Sequence, residues 1–81
     1  MSTVTVQLFA SYAESFGESF LKIPCEPGDT VGDLIRTIRA LPGAQALPVS
    51  PRVAINRQFA SPEQRIDVGD EIALIPPVAG G

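Results

Sequence analysis

The sequence contains no histidine, a single cysteine and only six basic residues among 81. Histidine is the usual general base and a common zinc ligand, so its absence excludes His-based acid–base chemistry and His-containing metal sites. Cys25 has no partner for an internal disulfide, and one cysteine does not hold an iron–sulfur cluster. Its neighbours Pro24 and Glu26 disfavour a thiolate. We therefore interpret Cys25 as a small residue at the edge of a strand.

Basic charge and long apolar runs are also scarce. The net charge is −3 and the sequence pI is about 4.6, which argues against a nucleic-acid binder and favours a partner with a basic surface. No stretch reaches the length of a membrane span, and no signal-peptide segment opens the chain, so we expect a cytoplasmic protein. The 44% hydrophobic content in 81 residues predicts one small folded domain.

The first half of the chain predicts two strands and two helices. Residues 3–9 alternate between apolar and polar side chains, as does the segment 18–24, in which we expect Phe20, Leu21 and Ile23 to be buried. A short helix over 10–17 ends at Gly17. The main helix begins after Thr30, whose capping box with Asp33 precedes a face of apolar residues: Val31, Leu34, Ile35, Ile38 and Leu41.

The second half predicts further strands around two turns. Residues 52–56 and 58–60 flank a tight turn at Asn56 and Arg57, and Asp70 closes a turn before the strand 71–75. That last strand is apolar on both faces, so it belongs in the centre of the sheet, paired with the N-terminal strand. The prediction is an α+β, ubiquitin-like β-grasp domain over residues 1–75, with a mixed sheet packed on one main helix and a flexible Gly-Gly tail over 76–81.

The predicted tail has an unusual composition. Pro76 and Pro77 fix φ and remove two backbone donors, so the segment leaves the sheet as a stiff, extended arm. Gly80 and Gly81 have no side chains, and the six residues after Ile75 reach about 20 Å. Such a probe enters an enclosed site where any Cβ would clash. The reacting group is then the carboxylate of Gly81, which is a poor electrophile until it is activated, for example as an acyl-adenylate.

Three stretches resemble the MoaD/ThiS family of sulfur carriers, and especially its molybdopterin synthase small subunits. They are Leu-Phe-Ala at 8–10, Val-Ala-Ile-Asn at 53–56, and Val-Gly-Asp-Glu-Ile-Ala-Leu-Ile-Pro-Pro-Val-Ala-Gly-Gly at 68–81. The last is the most specific, because carriers of the thiamine pathway end in Gly-Gly usually without a preceding Pro-Pro-Val. The similarity extends over nearly the whole chain.

This resemblance implies a mechanism in which the chain carries sulfur but supplies no catalytic side chain. A MoeB-like enzyme adenylates Gly81 with ATP, sulfur displaces AMP, and the resulting thiocarboxylate at Gly81, next to Gly80, attacks cyclic pyranopterin monophosphate in a MoaE-like large subunit. The working form is a heterotetramer, and the chain itself binds no metal or cofactor. The residues expected to contact partners are Phe9, Leu74, Ile75, Pro76, Pro77, Val78 and Ala79.

Several alternatives remain open at the level of sequence. The apolar side chains of Phe9, Leu74 and Ile75 fit either a docking patch or the core. The same tail would serve a sulfur carrier for thiamine, cysteine or tRNA thiolation. It would also serve a ubiquitin-like modifier that is conjugated to lysines through Gly81, or it could be inert on a plain interaction domain.

Overall fold

A computed structural model describes residues 2–76 of the chain, without the side chain of Ala46. Residues 77–81, and with them the predictions placed on Pro77, Val78, Ala79, Gly80 and Gly81, lie outside this range. The elements in chain order are β1 (Ser2–Leu8), α1 (Ala10–Phe16), β2 (Phe20–Cys25), α2 (Val31–Arg39), a 3₁₀ turn (Ala44–Ala46), β3 (Arg52–Ile55), β4 (Gln58–Ala60) and β5 (Ile72–Ile75).

The five strands form one mixed sheet in the order β2-β1-β5-β3-β4. β5 lies at its centre, parallel to β1 and antiparallel to β3, while β2 and β4 pair antiparallel at the edges. Leu8 is opposite Leu74 in the β1–β5 pair, and Arg52 is opposite Ile75 in the β3–β5 pair. The predicted pairing of the N-terminal and C-terminal strands is confirmed.

Local signals in the sequence explain where α2 begins. The Thr30 hydroxyl accepts a hydrogen bond from the Asp33 amide, and the Asp33 carboxylate accepts one from the Thr30 amide. The next two amide groups, of Val31 and Gly32, donate to the carbonyls of Gln64 and Pro62 at 2.9 Å. These bonds satisfy donors that a helix start otherwise leaves unpaired. They also attach the segment before β5 to the start of the main helix.

The core lies between the two helices and one face of the sheet. It is built from the inward side chains of every strand except β4, together with side chains from α1, α2 and the 3₁₀ turn that follows α2. Val6, Ile72 and Leu74 are its centre, since each has at most 1% of its surface exposed. Full burial of a Val, Leu or Ile side chain contributes roughly 1.5–3 kcal/mol, so these central-strand residues supply much of the stability.

One residue of β2 lies on the opposite face from the one predicted. Phe20 was expected in the core, but its side chain is 53% exposed. The register pairs Phe20 with Gln7 on the outer face, while Leu21, Ile23 and Cys25 point inward. Alternation decides this, because Phe20 shares its side of the strand with Lys22, and burying the first would also bury the second.

Candidate functional site

The central strand ends at Ile75 and Pro76, where the predicted tail begins. Proline has no N–H, so it cannot extend the ladder that pairs β5 with β3. Successive side chains of a strand point to opposite faces, and the last two of β5 follow this rule. Leu74 points into the core with 0% exposure, whereas Ile75 is half-buried on the outer face. Ile75, the last residue of β5, therefore presents its side chain on the outer face, next to Pro76.

The outer face carries a depression of about 430 Å³ at this position, which we call the sheet-face trough. Ala54 and Ala73 lie opposite each other in the β3–β5 pair and form its floor. The larger side chains of Phe9, Phe59 and Ile75 form its walls. Phe9 is 40% exposed and Phe59 is 67% exposed. Small residues in the central strands, surrounded by large apolar ones, leave a concave surface that accepts an apolar projection.

The hairpin between β3 and β4 forms the polar end of the trough. Asn56 and Arg57 have φ values of 52° and 71°, the left-handed pair that a two-residue hairpin turn requires. The Asn56 side chain accepts a hydrogen bond from the Glu71 amide and donates one to the Asp70 carboxylate. Arg57 pairs with Glu71 at 3.6 Å, with both side chains largely exposed. The hairpin is thereby tied to the start of β5.

Asp70 has the structural role that its sequence position predicts. Its carboxylate accepts a hydrogen bond of 2.8 Å from the Asp67 amide and another from Asn56, which closes the turn before β5. The neighbouring Glu71 is engaged by Arg57 instead. The two adjacent carboxylates therefore do not act as a catalytic pair.

The residues expected to contact a partner divide into three groups. Phe9 and Ile75 line the trough, and Pro76 is half-buried at its end. Leu74 is wrong as a docking residue, because its side chain is wholly inside the core. The tail residues Pro77, Val78, Ala79, Gly80 and Gly81 lie beyond the range that the structure describes.

Sequence reasoning missed several trough residues, among them Ala54, Phe59 and Ala73. The alternation of β3 held a signal, since Val53 and Ile55 point inward and Ala54 therefore points outward. That Ala54 lies beside Ala73 depends on the order of the strands in the sheet, which is a long-range property. Phe59 resembles a core residue by type alone.

Cys25, the one cysteine of the chain, is buried. Burial, followed by the nearby Asp29 and Glu26 carboxylates, raises the pKa of the Cys25 thiol. A buried thiol with a raised pKa is a poor nucleophile, which confirms the structural interpretation of Cys25. Within the same range no cluster of His, Cys, Asp or Glu is arranged to hold a metal ion. Nor is any helix in it long and apolar enough to cross a membrane.

Comparison with known proteins agrees with the geometry. A model of the ThiS family matches residues 6–81. The molybdopterin synthase sulfur carrier subunit of Dictyostelium discoideum is 33% identical, over 94% of this chain and 93% of that protein. The family match, which extends from residue 6 to residue 81, therefore covers both the β-grasp part and the tail segment of the sequence.

Solved structures share the same fold. SAMP1 of Haloferax volcanii, a small archaeal modifier protein, superposes with a TM-score of 0.82 at 27% identity and covers 99% of this chain and 100% of its own. A second solved structure is the complex of subunits 1 and 2 of molybdopterin-converting factor from Helicobacter pylori. One of its chains superposes with a TM-score of 0.71 at 22% identity, and the match covers 99% of the present chain and 100% of the Helicobacter chain. The chain therefore has the ubiquitin-like β-grasp fold and belongs to the ThiS family, the MoaD/ThiS group that its motifs indicate.

Proposed function

We propose that this chain is the sulfur carrier subunit of molybdopterin synthase and that its reactive group is the carboxylate of Gly81. The observation that carries the proposal is the Pro-Pro-Val-Ala-Gly-Gly segment that follows the central strand of a β-grasp domain. The similarity to a molybdopterin synthase sulfur carrier subunit over 94% of this chain supports it, as does the ThiS family match, which extends to residue 81.

The chemistry proceeds by activation of a carboxylate. A MoeB-like enzyme transfers AMP from ATP to the Gly81 carboxylate and releases pyrophosphate. A sulfide equivalent then attacks the acyl carbon and expels AMP, which leaves a thiocarboxylate. In the large subunit the thiocarboxylate sulfur attacks cyclic pyranopterin monophosphate, and hydrolysis returns the Gly81 carboxylate. Two such deliveries build the dithiolene of molybdopterin.

The folded domain positions the carrier group but contributes no side chain to the reaction. A carrier of this kind works by binding and orientation, while its partner holds the substrate and excludes water. The trough is lined by Ile75, the last residue of β5, which supports docking of a partner on Phe9, Phe59 and Ile75, close in sequence to the tail that it would receive. The partner is a MoaE-like large subunit, in a heterotetramer of two small and two large subunits.

Intact-mass measurement tests the carrier chemistry directly. The full chain is incubated with ATP, the adenylating enzyme of the same organism, a persulfide donor and a thiol that reduces the acyl disulfide formed when the persulfide displaces AMP. We expect a mass gain equal to the exchange of one oxygen for sulfur, and no gain for a chain lacking Gly81. Addition of the large subunit and the pterin precursor should then yield molybdopterin. An unchanged mass, with an adenylating enzyme that is active on a control carrier, would refute the proposal.

A second function, as a ubiquitin-like protein modifier, is favoured by the likeness to small archaeal modifier protein 1. In that case activated Gly81 would be joined to lysine amines of other proteins. The chain itself has one lysine, Lys22, which is exposed on β2. Isopeptide adducts ending in Gly81, found by mass spectrometry of cell extracts, would favour this function, and their absence together with synthase activity would exclude it.

A further inference from the structure

The charge on the outer face of the sheet is opposite in sign to the charge of the whole chain. The net charge is −3, yet the strand side chains that share the outer face in the observed register include Lys22 and Arg52 and no carboxylate. At the hairpin, Arg57 and Glu71 form an ion pair that is neutral overall. The acidic residues are concentrated in the loops and helices instead. The two charged strand side chains of this face, Lys22 and Arg52, are therefore both basic.

Arg52 is the basic strand residue that lies next to the trough. It lies opposite Ile75 in the β3–β5 pair and two residues before Ala54, which is opposite Phe59. Arg52 and Phe59 are thus diagonal cross-strand neighbours on one face, and the guanidinium lies 5.5 Å from the centre of the phenyl ring. This distance is within the range of a cation–π contact, which restrains the guanidinium beside the ring. Arg52 is exposed, so its N–H donors remain accessible to a partner.

Phe59 separates the trough from a second depression of about 270 Å³. The described residues that line this second depression include one charged side chain, Arg52, among small and apolar ones: Ser50, Pro51, Val53, Phe59, Ala60 and Pro62. No residue of the range 2–76 forms an ion pair with Arg52, whereas Arg36 and Arg57 both have one. An oriented guanidinium beside an apolar depression is a receptor for a carboxylate on an aliphatic stem.

We propose that Arg52, stacked on Phe59, is the charged anchor of the docking surface and receives a carboxylate side chain of the protein partner. The partner places an apolar side chain in the sheet-face trough and a glutamate or aspartate in the second depression. Arg and aromatic residues are enriched among the residues that dominate binding energy in protein interfaces. This inference rests on the proposed function, because it takes the large subunit of molybdopterin synthase as the partner.

Charge complementarity selects this occupant over a general apolar contact. An apolar partner surface would bury the Arg52 guanidinium without a counter-charge, which is costly. A carboxylate removes that cost and forms two parallel hydrogen bonds with the guanidinium edge. The same contact rejects a partner that presents a cation at this position, so Arg52 determines specificity as well as affinity.

Isothermal titration of the full chain into the large subunit from the same organism tests the anchor. The variants are Arg52→Gln, Arg52→Lys and, as a matched control, Arg65→Gln, which removes the same charge from an exposed loop position away from the sheet. We expect Arg52→Gln to raise Kd about tenfold or more, the ratio typical of a hydrogen bond to a charged group. Arg52→Lys should recover only part of this loss, and Arg65→Gln should change Kd less than about twofold.

The acidic residues of the large subunit are then changed one at a time to the corresponding amides. One of them should lose its effect on Kd when Arg52 is already Gln, which identifies the carboxylate by a double-mutant cycle. Equal Kd values for Arg52→Gln and Arg65→Gln, or the absence of any coupled carboxylate, would overturn the inference while leaving the sulfur-carrier proposal intact. Failure of the unchanged chain to bind would refute both.

A second copy of this chain is the competing occupant of the two depressions. Sedimentation of the chain alone measures this, and the expected result is a monomer at micromolar concentration. A dimer that Arg52→Gln dissociates, with unchanged binding to the large subunit, would assign the surface to self-association and overturn the inference. Because Arg52 is exposed, the urea midpoint of the Arg52→Gln variant should equal that of the unchanged chain. Loss of folding would then not explain its weaker binding.

Discussion

Leu74 and Ile75 are adjacent in β5, and changing each to alanine should have opposite consequences. Leu74 is wholly buried at the centre of the core, so Leu74→Ala removes packed methyl groups and leaves a cavity, at a cost of about 3 kcal/mol. A domain of 81 residues has a total stability of roughly 4–12 kcal/mol. The variant therefore stays mostly folded at room temperature, with Tm lowered by roughly 10–25 °C.

Ile75 is half-buried and lines the sheet-face trough. Ile75→Ala removes area that is partly exposed in the free chain, so its cost in stability should be about 1 kcal/mol or less. In the proposed complex the partner buries the same side chain, so Ile75→Ala should weaken binding to the large subunit about tenfold. Leu74→Ala should bind with unchanged Kd once the folded fraction is taken into account.

Two measurements on the same preparations decide this comparison. Urea unfolding followed by circular dichroism gives the free energy of unfolding, and titration into the large subunit gives Kd. The reasoning would be refuted if Ile75→Ala destabilised the fold as much as Leu74→Ala. It would also be refuted if both variants lost affinity equally, since the two faces of β5 would then not have separate roles.

Three further changes test the fold itself by urea unfolding. Gly43→Ala should cost roughly 2–4 kcal/mol of stability, because φ is 96° and the new Cβ would lie 2.6 Å from the backbone oxygen of Ser15. Gly28→Ala is the control: φ is 90° but the space is open, so it should cost about 1 kcal/mol. Equal costs would contradict the predicted clash. The hydrogen bond from the backbone of Thr30 lowers the pKa of the Asp33 carboxyl in the folded state. Ionised Asp33 therefore stabilises the fold above about pH 4, and this stabilisation is lost as the pH falls through the lowered pKa. Asp33→Asn should therefore destabilise at pH 7, and its difference from the unchanged chain should shrink as the pH falls below about 4. A difference that grows on acidification would have the wrong sign. Tyr12→Phe should stabilise by about 1 kcal/mol, because the buried hydroxyl has no hydrogen-bond partner among residues 2–76; a loss of stability would point to an unseen partner for that hydroxyl.

Most of the fold could be predicted because its signals are local. The capping box of Thr30 and Asp33, the left-handed pair at Asn56 and Arg57, and the helix stop at Gly17 each depend on residues that are close in the chain. The central position of β5 followed from its two apolar faces. The error at Phe20 came from weighing residue type above alternation, since Lys22 on the same side of β2 already indicated the outer face.

The candidate site was less predictable because it is assembled from distant segments. Both Leu74 and Ile75 are apolar, and only the register against β1, where Leu74 lies beside Leu8, determines which of them faces the core. The pairing of Ala54 with Ala73 depends likewise on strand order. The net charge of −3 indicated a basic partner, but the net charge of a whole chain does not describe one face. The charged strand side chains of the outer face, Lys22 and Arg52, are both basic.

The central position of β5 also affects how the domain resists mechanical load. A partner that grips the chain beyond Pro76 pulls along the axis of β5, which is held on one side by β1 through three residue pairs and on the other by β3 through four. The hydrogen bonds of both ladders lie across the direction of pull and are loaded together in shear, whereas an edge strand such as β4 could be peeled away one bond at a time. The strand that leads to the tail is thus the one best able to transmit force without unfolding. The proposed repeated insertion of the tail into a partner, and its withdrawal, would therefore leave the domain folded.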